Sequence, residues 1–105
     1  MDTTLRDLLL GFIKVHILYH AGREPIYGAW LREELARHGY DLSPGTLYPT
    51  LHKLERAGYL VSEVRVSGGR VRRYYTLTAA GRTALDEARR KALELVSEIT
   101  EDETR

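Results

Sequence analysis

Cysteine is absent from this chain of 105 residues, which excludes a disulfide framework and any thiolate metal site. A signal peptide is also missing, and no apolar run approaches the roughly 18 residues that a membrane span requires. We therefore expect a soluble, cytoplasmic protein. Apolar residues make up 43% and charged residues 30% of the sequence, which is typical of one compact globular domain with a modest core.

Catalytic and metal-binding patterns are scarce as well. No glycine-rich loop precedes a phosphate-binding helix, and Ser43 is better placed as a helix cap than as a nucleophile. His16 and His20 have the H-x-x-x-H spacing of a metal pair, but Ile17 stands where the zinc-protease pattern requires glutamate. Because no third ligand is evident, we predict an interface or core histidine pair. We expect no metal, no cofactor and no enzymatic activity.

Charge is unevenly distributed along the chain, although the formal net charge is only +1. Residues 43–76 contain six basic and two acidic side chains, a net charge of +4. The segments before and after this one carry −1 and −2. Such segregation indicates a surface that faces a polyanion, with a solvated charged hairpin as the alternative.

The basic segment opens with a predicted short helix between Ser43, its expected side-chain cap, and Gly58, which ends it. Pro44 fits the first position, and Pro49 removes a backbone donor, so we expect a bent or 3₁₀-like first turn. Leucines line the buried face. The opposite face contains no acidic residue and consists of Gly45, Thr46, Pro49, His52, Lys53 and Arg56. It fits a groove in nucleic acid, and we predict base or phosphate contacts from Thr46, His52 and Lys53.

Two helices are predicted upstream of this one. Thr4 and Asp7 form a candidate capping pair for a helix over about residues 5–21, whose apolar surface is too wide for one core-facing stripe. We therefore expect this helix also to contact a partner subunit. A second helix is predicted over about residues 26–38, with an inner stripe of Tyr27, Leu31 and Leu35. Together with the basic helix it forms a helix-turn-helix outline.

A β-hairpin is predicted downstream. Two strands, residues 59–66 and 70–77, flank a two-residue Gly68-Gly69 turn, which pairs Leu60 with Leu77 at the far end. In this register the face toward the helices consists of Leu60, Ser62, Val64, Tyr75 and Leu77. The hairpin is therefore expected to bury its inner face and to present the other face to its surroundings.

Four arginines make this hairpin a candidate wing that contacts a nucleic-acid backbone. Arg65 and Arg72 are opposite each other in the ladder, an unfavourable pair that a phosphate anion between them would stabilise. Arg70 and Arg72 fit contacts to phosphate or to the minor groove. Arg73 shares the inner face, so a structural pair is the alternative for this residue. We predict all four as DNA-binding residues.

Thr78 is the predicted cap of a last helix over about residues 79–100, followed by a frayed acidic tail. The single apolar stripe of this helix cannot be buried within so small a domain, so we expect it to pack against the first helix of a second copy. The predicted interface comprises Leu5, Leu9, Phe12, His16, Leu85, Ala88, Ala92, Leu95, Val96 and Ile99. Phe12, Tyr19 and Trp30 are aromatic candidates for an effector pocket, with core packing as the alternative.

Two long motifs closely resemble the PadR family of transcriptional regulators. Residues 42–51, LSPGTLYPTL, continued by Lys53-Leu54-Glu55 and Gly58, resemble the third helix of the family. Residues 72–82, RRYYTLTAAGR, resemble its returning wing strand and the start of its fourth helix, and Tyr27-Gly28 matches its second-helix signature. The resemblance spans nearly the whole chain.

This resemblance implies an α+β winged helix-turn-helix fold, with three helices and a two-stranded wing over residues 1–78 and a dimerisation helix over residues 79–105. It implies a homodimeric repressor that binds an inverted-repeat operator in double-stranded DNA. Several family members release DNA on binding a small aromatic molecule, and one branch uses a C-terminal tryptophan for this. The present chain departs from that branch, because its only tryptophan is Trp30.

The resemblance also implies that the Tyr48 hydroxyl contacts DNA phosphate, with packing beside Leu51 as the alternative. A winged-helix module that mediates only protein assembly is the alternative function. The absence of acids from the third helix and the paired wing arginines favour the DNA-binding function.

Overall fold

The computed structural model describes residues 2–103. Within this range the elements are α1 (Thr3–Arg23), α2 (Gly28–Arg37), α3 (Pro44–Arg56), β1 (Leu60–Ser67), β2 (Arg70–Leu77) and α4 (Ala79–Glu103). The predicted α+β class is confirmed, with three helices followed by a two-stranded antiparallel wing and a long last helix. None of the helices in this described part of the chain combines the length and apolar character that a membrane crossing requires.

Helix α1 begins two residues earlier than its predicted cap suggested. The cap is Asp2, whose carboxylate accepts a hydrogen bond from the Leu5 amide at 2.8 Å, so the assignment of Thr4 and Asp7 as a capping pair is wrong. Thr4 lies inside the helix, where its side chain has no free amide to accept from. The helix also continues two residues beyond the predicted end at Ala21, to Arg23.

Helix α2 begins two residues later than predicted, at Gly28. The reason is a backbone bridge between Ile26 and Tyr75 of β2, with N–H to oxygen distances of 3.0 Å and 2.7 Å. The bridge holds Ile26 extended, and Tyr27 becomes the extended N-cap residue. Tyr27 therefore does not belong to the inner stripe of α2, whereas Leu31 and Leu35 of that stripe are fully buried.

Helix α3 has the predicted leucine underside, since Leu47 and Leu51 are each 1% exposed and Leu54 is 6% exposed. Each such side chain contributes about 1.5–3 kcal/mol through burial. The helix ends where Gly58 takes a positive φ of 85°, as predicted. The core around these leucines is one cluster shared by all six elements: Ile13, Ile17, Leu18, Ala21, Ile26, Leu31, Leu35, Leu42, Leu47, Leu51, Leu54, Leu60, Tyr75 and Leu85.

The wing has the predicted register, in which Leu60 is paired with Leu77 and Arg65 with Arg72. Both turn glycines have positive φ, 58° and 77°, the conformation that a two-residue type I′ turn requires. Val64 shares the face of Leu60 and Tyr75, as the register predicts. It is nevertheless 53% exposed, because the hairpin tip extends beyond the helices that cover Leu60 and Tyr75.

Helix α4 is anchored at the base of the wing. The Thr78 hydroxyl accepts a hydrogen bond from the Gly81 amide at 3.0 Å and donates one to the Gly58 carbonyl, so the predicted cap is confirmed. Gly81 and Leu85 are buried, whereas every residue from 89 to 101 is exposed. The helix continues to Glu103. Its end therefore lies three residues beyond the predicted one at about Thr100.

Candidate nucleic-acid interface

The outer face of α3 is exposed as predicted. Gly45, Pro49, His52, Lys53 and Arg56 are all exposed, and no acidic side chain lies among them. The helix remains α-helical through Pro49, although the Thr46 amide bonds the Ser43 carbonyl at 3.0 Å in the 3₁₀ manner. The result is a basic, hydroxyl-bearing convex surface above a leucine core.

The first turn of α3 differs from the prediction in its side-chain bonds. Ser43 is the N-cap residue, but its side chain makes no capping bond. Its hydroxyl instead donates to Thr46 Oγ1 at 3.4 Å. Arg6 of α1 also donates to Thr46 Oγ1, at 2.7 Å. Thr46 is therefore only half-exposed and engaged within the chain, and the side-chain cap assigned to Ser43 is wrong.

Arg6 is a candidate that sequence reasoning missed. It lies 40 residues from Thr46 in the chain, and no local pattern links the two positions. Its guanidinium adds positive charge beside the N-terminus of α3, where the helix dipole already favours anions.

Thr50 is a second missed residue and has a structural role. Its side chain is buried, and its hydroxyl donates to the Thr46 carbonyl at 2.8 Å.

Tyr48 is 41% exposed, and its ring lies against the backbone of Gly28. A Cβ atom on Gly28 would approach the Tyr48 hydroxyl oxygen to 2.5 Å and the ring carbon Cε1 to 2.6 Å, well inside van der Waals contact. The Tyr27-Gly28 pair therefore has a physical explanation, since only glycine leaves room for the Tyr48 ring. The tyrosine is held on the flank of α3, with its hydroxyl at the junction with α2.

Replacing Gly28 with alanine is expected to displace the Tyr48 ring while leaving the fold intact, because an exposed side chain can rotate away from the new methyl group. We expect DNA affinity to fall about as much as in Tyr48→Ala, on the order of tenfold. Fluorescence anisotropy with labelled operator measures this. In the Tyr48→Ala background, adding Gly28→Ala should have little further effect; additive losses would show that Gly28 acts independently of Tyr48.

Two of the wing arginines lie over aromatic rings of their own chain. The Arg72 guanidinium lies 4.2 Å from the centroid of the Tyr27 ring. Arg65 lies 5.0 Å from the centroid of the Tyr74 ring and donates to the Glu63 carboxylate at 2.6 Å. These contacts reduce the repulsion across the ladder within the chain itself, and a phosphate bound beside the two arginines would stabilise the pair further. Arg65 is held within the chain, whereas Arg70 is exposed at the wing tip.

Arg73 connects the wing to α3. It donates to Ser62 Oγ at 3.1 Å, and Ser62 donates to Glu55 Oε2 at 2.7 Å. This network supports the structural alternative weighed for Arg73.

Burial, together with the nearby Glu55 carboxylate, raises the pKa of Tyr75 beneath this network, which keeps its phenol neutral. Both acids of the basic segment, Glu55 and Glu63, thus have partners within the chain.

A cleft of about 260 Å³ brings several predicted residues together between α2, α3 and β2. Its lining consists of Tyr27, Gly28, Ala29, Tyr48, Arg70, Val71, Arg72, Arg73 and Tyr75. The flank of the predicted recognition helix and the basic strand of the wing therefore form one continuous surface. Arg70 is exposed on this surface, and Lys53 and Arg56 are exposed on α3 itself, a distribution of positive charge that suits a polyanion.

The residues predicted for a dimer interface fall into two groups. Leu85 is 5% exposed within its own chain, and the His16 ring packs 4.8 Å from the ring of His38 and 5.5 Å from that of Tyr40. Leu85 thus belongs to the chain's own core, and the half-buried His16 packs against side chains of its own chain. Leu9 and Ala88 are half-buried, and the exposed members are Leu5, Phe12, Ala92, Leu95, Val96 and Ile99.

The three candidate effector residues do not share one cavity. Tyr19 and Trp30 both contact the His20 ring, at 5.1 Å and 5.5 Å between centroids, whereas Phe12 lies two turns of α1 away. A concavity of about 800 Å³ lies between α1 and the α2–α3 connection. None of the three aromatic residues lines it.

The arrangement of helices and wing defines the class of winged helix-turn-helix proteins, which bind nucleic acid through a basic recognition helix. Residues 17–87 match the model of the "Transcriptional regulator PadR-like family". The chain is 55% identical over 95 residues to the transcriptional regulator Rv3488 of Mycobacterium tuberculosis, covering 90% of this chain and 89% of that protein. The chain therefore belongs to the PadR-like family of transcriptional regulators, and this membership implies DNA binding.

Solved structures agree with this assignment. A PadR family transcriptional regulator from Eggerthella lenta DSM 2243 has a TM-score of 0.80 at 32% identity, covering 94% of this chain and 88% of that one. A PadR-like transcriptional regulator from Bacillus cereus has a TM-score of 0.82 at 27% identity, covering 90% and 93%.

Proposed function

We propose that the chain is a repressor that binds an inverted-repeat operator as a homodimer. The two α3 helices enter successive major grooves about 34 Å apart, and the wings contact the flanking backbone. The observation that carries this proposal is the acid-free outer face of α3, together with the cleft that joins Tyr48 on its flank to Arg70 and Arg72 of the wing. Contacts to base edges or to phosphate are assigned to His52 and Lys53, and phosphate contacts to Tyr48 and the wing.

The dimer is supported by two apolar stripes that the chain leaves uncovered. On α1, Leu5, Leu8 and Phe12 are 44%, 60% and 47% exposed. On α4, the side chains of Leu95, Val96 and Ile99 are 42%, 55% and 52% exposed. Exposed apolar side chains that follow one another along two helices support packing against a second copy of the chain. The first turns of α4 belong to the core. The boundary at residue 78 that was predicted from the sequence therefore divides two proposed roles, DNA binding and dimerisation, and does not divide two units that fold independently.

Relief of repression by a small aromatic effector is a further part of the proposal. A ligand seated between α1 and α4 of two subunits would change their angle and so misplace both α3 helices. The exposed rings of Phe12 and Tyr19, each 47% exposed, support a site on that face. Addition of a candidate effector to the operator complex should release the DNA while the protein stays dimeric. If the operator complex is unaffected by every small molecule that binds the protein, the effector part of the proposal is wrong.

The proposed function is tested by anisotropy titration with duplexes from the gene's own upstream region, at two salt concentrations. Wild type is compared with a variant carrying Tyr48→Phe, Lys53→Ala and Arg72→Ala. We expect tight binding by wild type alone, weakening steeply with salt as counterions are released. Light scattering checks that both proteins are dimers. Intact dimers that bind none of the duplexes would favour the alternative, a winged-helix protein-assembly module.

A further inference from the structure

A cluster of three histidines lies outside the nucleic-acid interface. His16 and His20 of α1 are joined by His38, the C-cap residue of α2, and ring nitrogens of all three lie within 4.8 Å of one another. Sequence reasoning set the H-x-x-x-H pair aside because it found no third ligand. The structure corrects that conclusion, since the end of α2 supplies one.

A carboxylate completes the cluster. Glu34 Oε2 lies 3.1 Å from His38 Nε2 and 3.7 Å from His20 Nε2, and the Glu34 side chain is only 15% exposed. Two imidazoles thus face the same carboxylate oxygen. Arg37 contacts the other oxygen, Oε1, at 3.2 Å, and so orients the group.

The His20 ring is under-satisfied in this arrangement. Its Nε2 atom is buried and has no hydrogen-bond partner, since 3.7 Å to Glu34 is too long for a hydrogen bond. A buried polar atom without a partner is unfavourable and calls for an explanation. A ligand bound among the three rings would supply the missing partner.

The same environment favours the neutral imidazole that metal binding requires. Burial lowers the pKa of His16, and the neighbouring imidazoles of His38 and His20 lower it further. Burial also lowers the pKa of His20, against the opposing effect of Glu34. Neutral imidazole with a free ring nitrogen is the usual protein ligand for Zn²⁺.

We propose that His16, His20 and His38 bind a divalent transition metal of the zinc class, with the Glu34 carboxylate as fourth ligand. Three imidazoles and one oxygen form a donor set that suits tetrahedral zinc or cobalt. Zinc–nitrogen bonds of about 2.0–2.1 Å place tetrahedral ligand nitrogens about 3.3 Å apart. The rings therefore need to close by about 1.5 Å, which side-chain rotation at the exposed His38 allows.

The proposed metal would cross-link parts of the fold that are otherwise joined by a few contacts. His16 and His20 belong to α1, Glu34 to α2, and His38 lies in the segment that leads into α3. The ion would thus fix the helix that carries the exposed dimer stripe to the approach of the recognition helix. Metal binding itself does not depend on the proposed repressor function and is measured without DNA.

The chain provides its own optical reporter and its own control. Trp30 is the only tryptophan, and its ring lies 5.5 Å from the His20 ring, so bound Co²⁺ should quench its fluorescence. His52 is the fourth histidine and lies on α3, outside the cluster. His52→Gln therefore removes an imidazole from the chain without touching the proposed site.

The experiment titrates Zn²⁺ and Co²⁺ into the untagged, EDTA-treated full chain by calorimetry, visible absorption and Trp30 fluorescence. Wild type and His52→Gln should bind one ion per chain, with the intense visible bands of tetrahedral Co²⁺. His20→Gln and His38→Gln should weaken binding at least about 100-fold, and Glu34→Gln about 10- to 100-fold.

His38→Gln is the decisive variant, because the 44% exposed His38 side chain can be replaced without opening the core. Circular dichroism and thermal unfolding check that it folds like wild type. Equal affinity in wild type and His38→Gln, or no binding by any of the proteins, would overturn the proposal. Loss of binding in His52→Gln would equally overturn it, because the ion would then lie elsewhere.

Discussion

Gly81→Ala is expected to lower the free energy of unfolding by about 2–3 kcal/mol, although it adds only one methyl group. The new Cβ would lie far inside van der Waals contact of the Tyr59 carbonyl oxygen and 2.6 Å from Leu77 Cδ1. The first neighbour is backbone and cannot rotate away. The Thr78 bonds to Gly58 and Gly81 hold the same junction closed, so α4 must shift away from the wing to accommodate the methyl group. Urea unfolding followed by circular dichroism measures the loss.

Gly45→Ala is the matched control, the same substitution at an exposed helical glycine. Its Cβ would meet only Ser43 Oγ, at 3.7 Å, an ordinary contact. Alanine is the better helix former by about 0.5–1 kcal/mol, so Gly45→Ala should be as stable as wild type or more so. If the two variants lose equal stability, the effect is general to adding a methyl group, and the tight junction between α4 and the wing does not explain it.

The elements that were predictable from the sequence are those determined by neighbouring residues. The type I′ turn at Gly68-Gly69 sets the register of the whole wing, because a two-residue loop leaves only one pairing. Gly58 ends α3, and Thr78 caps α4, through contacts within a few residues. The leucine underside of α3 follows from helical periodicity alone. In each case the signal and its structural consequence lie in one short segment.

The errors arise where distant segments meet. The Ile26–Tyr75 bridge delays α2, and the contact of Arg6 with Thr46 joins residues from α1 and α3; neither leaves a local pattern. The wrong side-chain cap at Ser43 has a different cause. Two hydrogen-bond partners compete for its hydroxyl, which bonds Thr46 Oγ1 instead of a backbone amide.

The histidine cluster is the clearest case of this kind. His16 and His20 are recognisable as a pair in the sequence, but His38 joins them only because α2 packs antiparallel to α1. The three-histidine cluster therefore depends on how the two helices pack, and the spacing of histidines along the sequence does not predict that packing.

Lys53→Glu is expected to weaken operator binding roughly a hundredfold. Lys53 is exposed on the outer face of α3, between His52 and Arg56, with no acidic neighbour on that face. Reversing its charge removes one contact from each subunit and places a carboxylate against DNA phosphate. A loss of about 1.5 kcal/mol in each half-site gives about 3 kcal/mol for the dimer. Anisotropy titration with the operator measures the change.

Arg90→Glu is the charge-matched control, since it alters the net charge equally. Arg90 is exposed on α4, where it pairs with Glu87, and it lies opposite the apolar stripe of that helix. Its surface ion pair contributes little to stability. Operator affinity should therefore change only slightly, and the dimer should persist. An equal loss of affinity in both variants would show that total charge, not a contact from α3, governs binding.

The salt dependence distinguishes a contact from a general charge effect. Each phosphate contact contributes about 0.9 to the slope of log affinity against log salt, so a dimer that loses two contacts should lose about two from the slope. Arg90→Glu should keep the wild-type slope.

Because Lys53 lies in the last turn of α3, its replacement by glutamate also opposes the helix dipole, by about 0.3–1 kcal/mol. That loss of folding stability is too small to account for a hundredfold loss of binding, and urea unfolding of the free protein measures it separately.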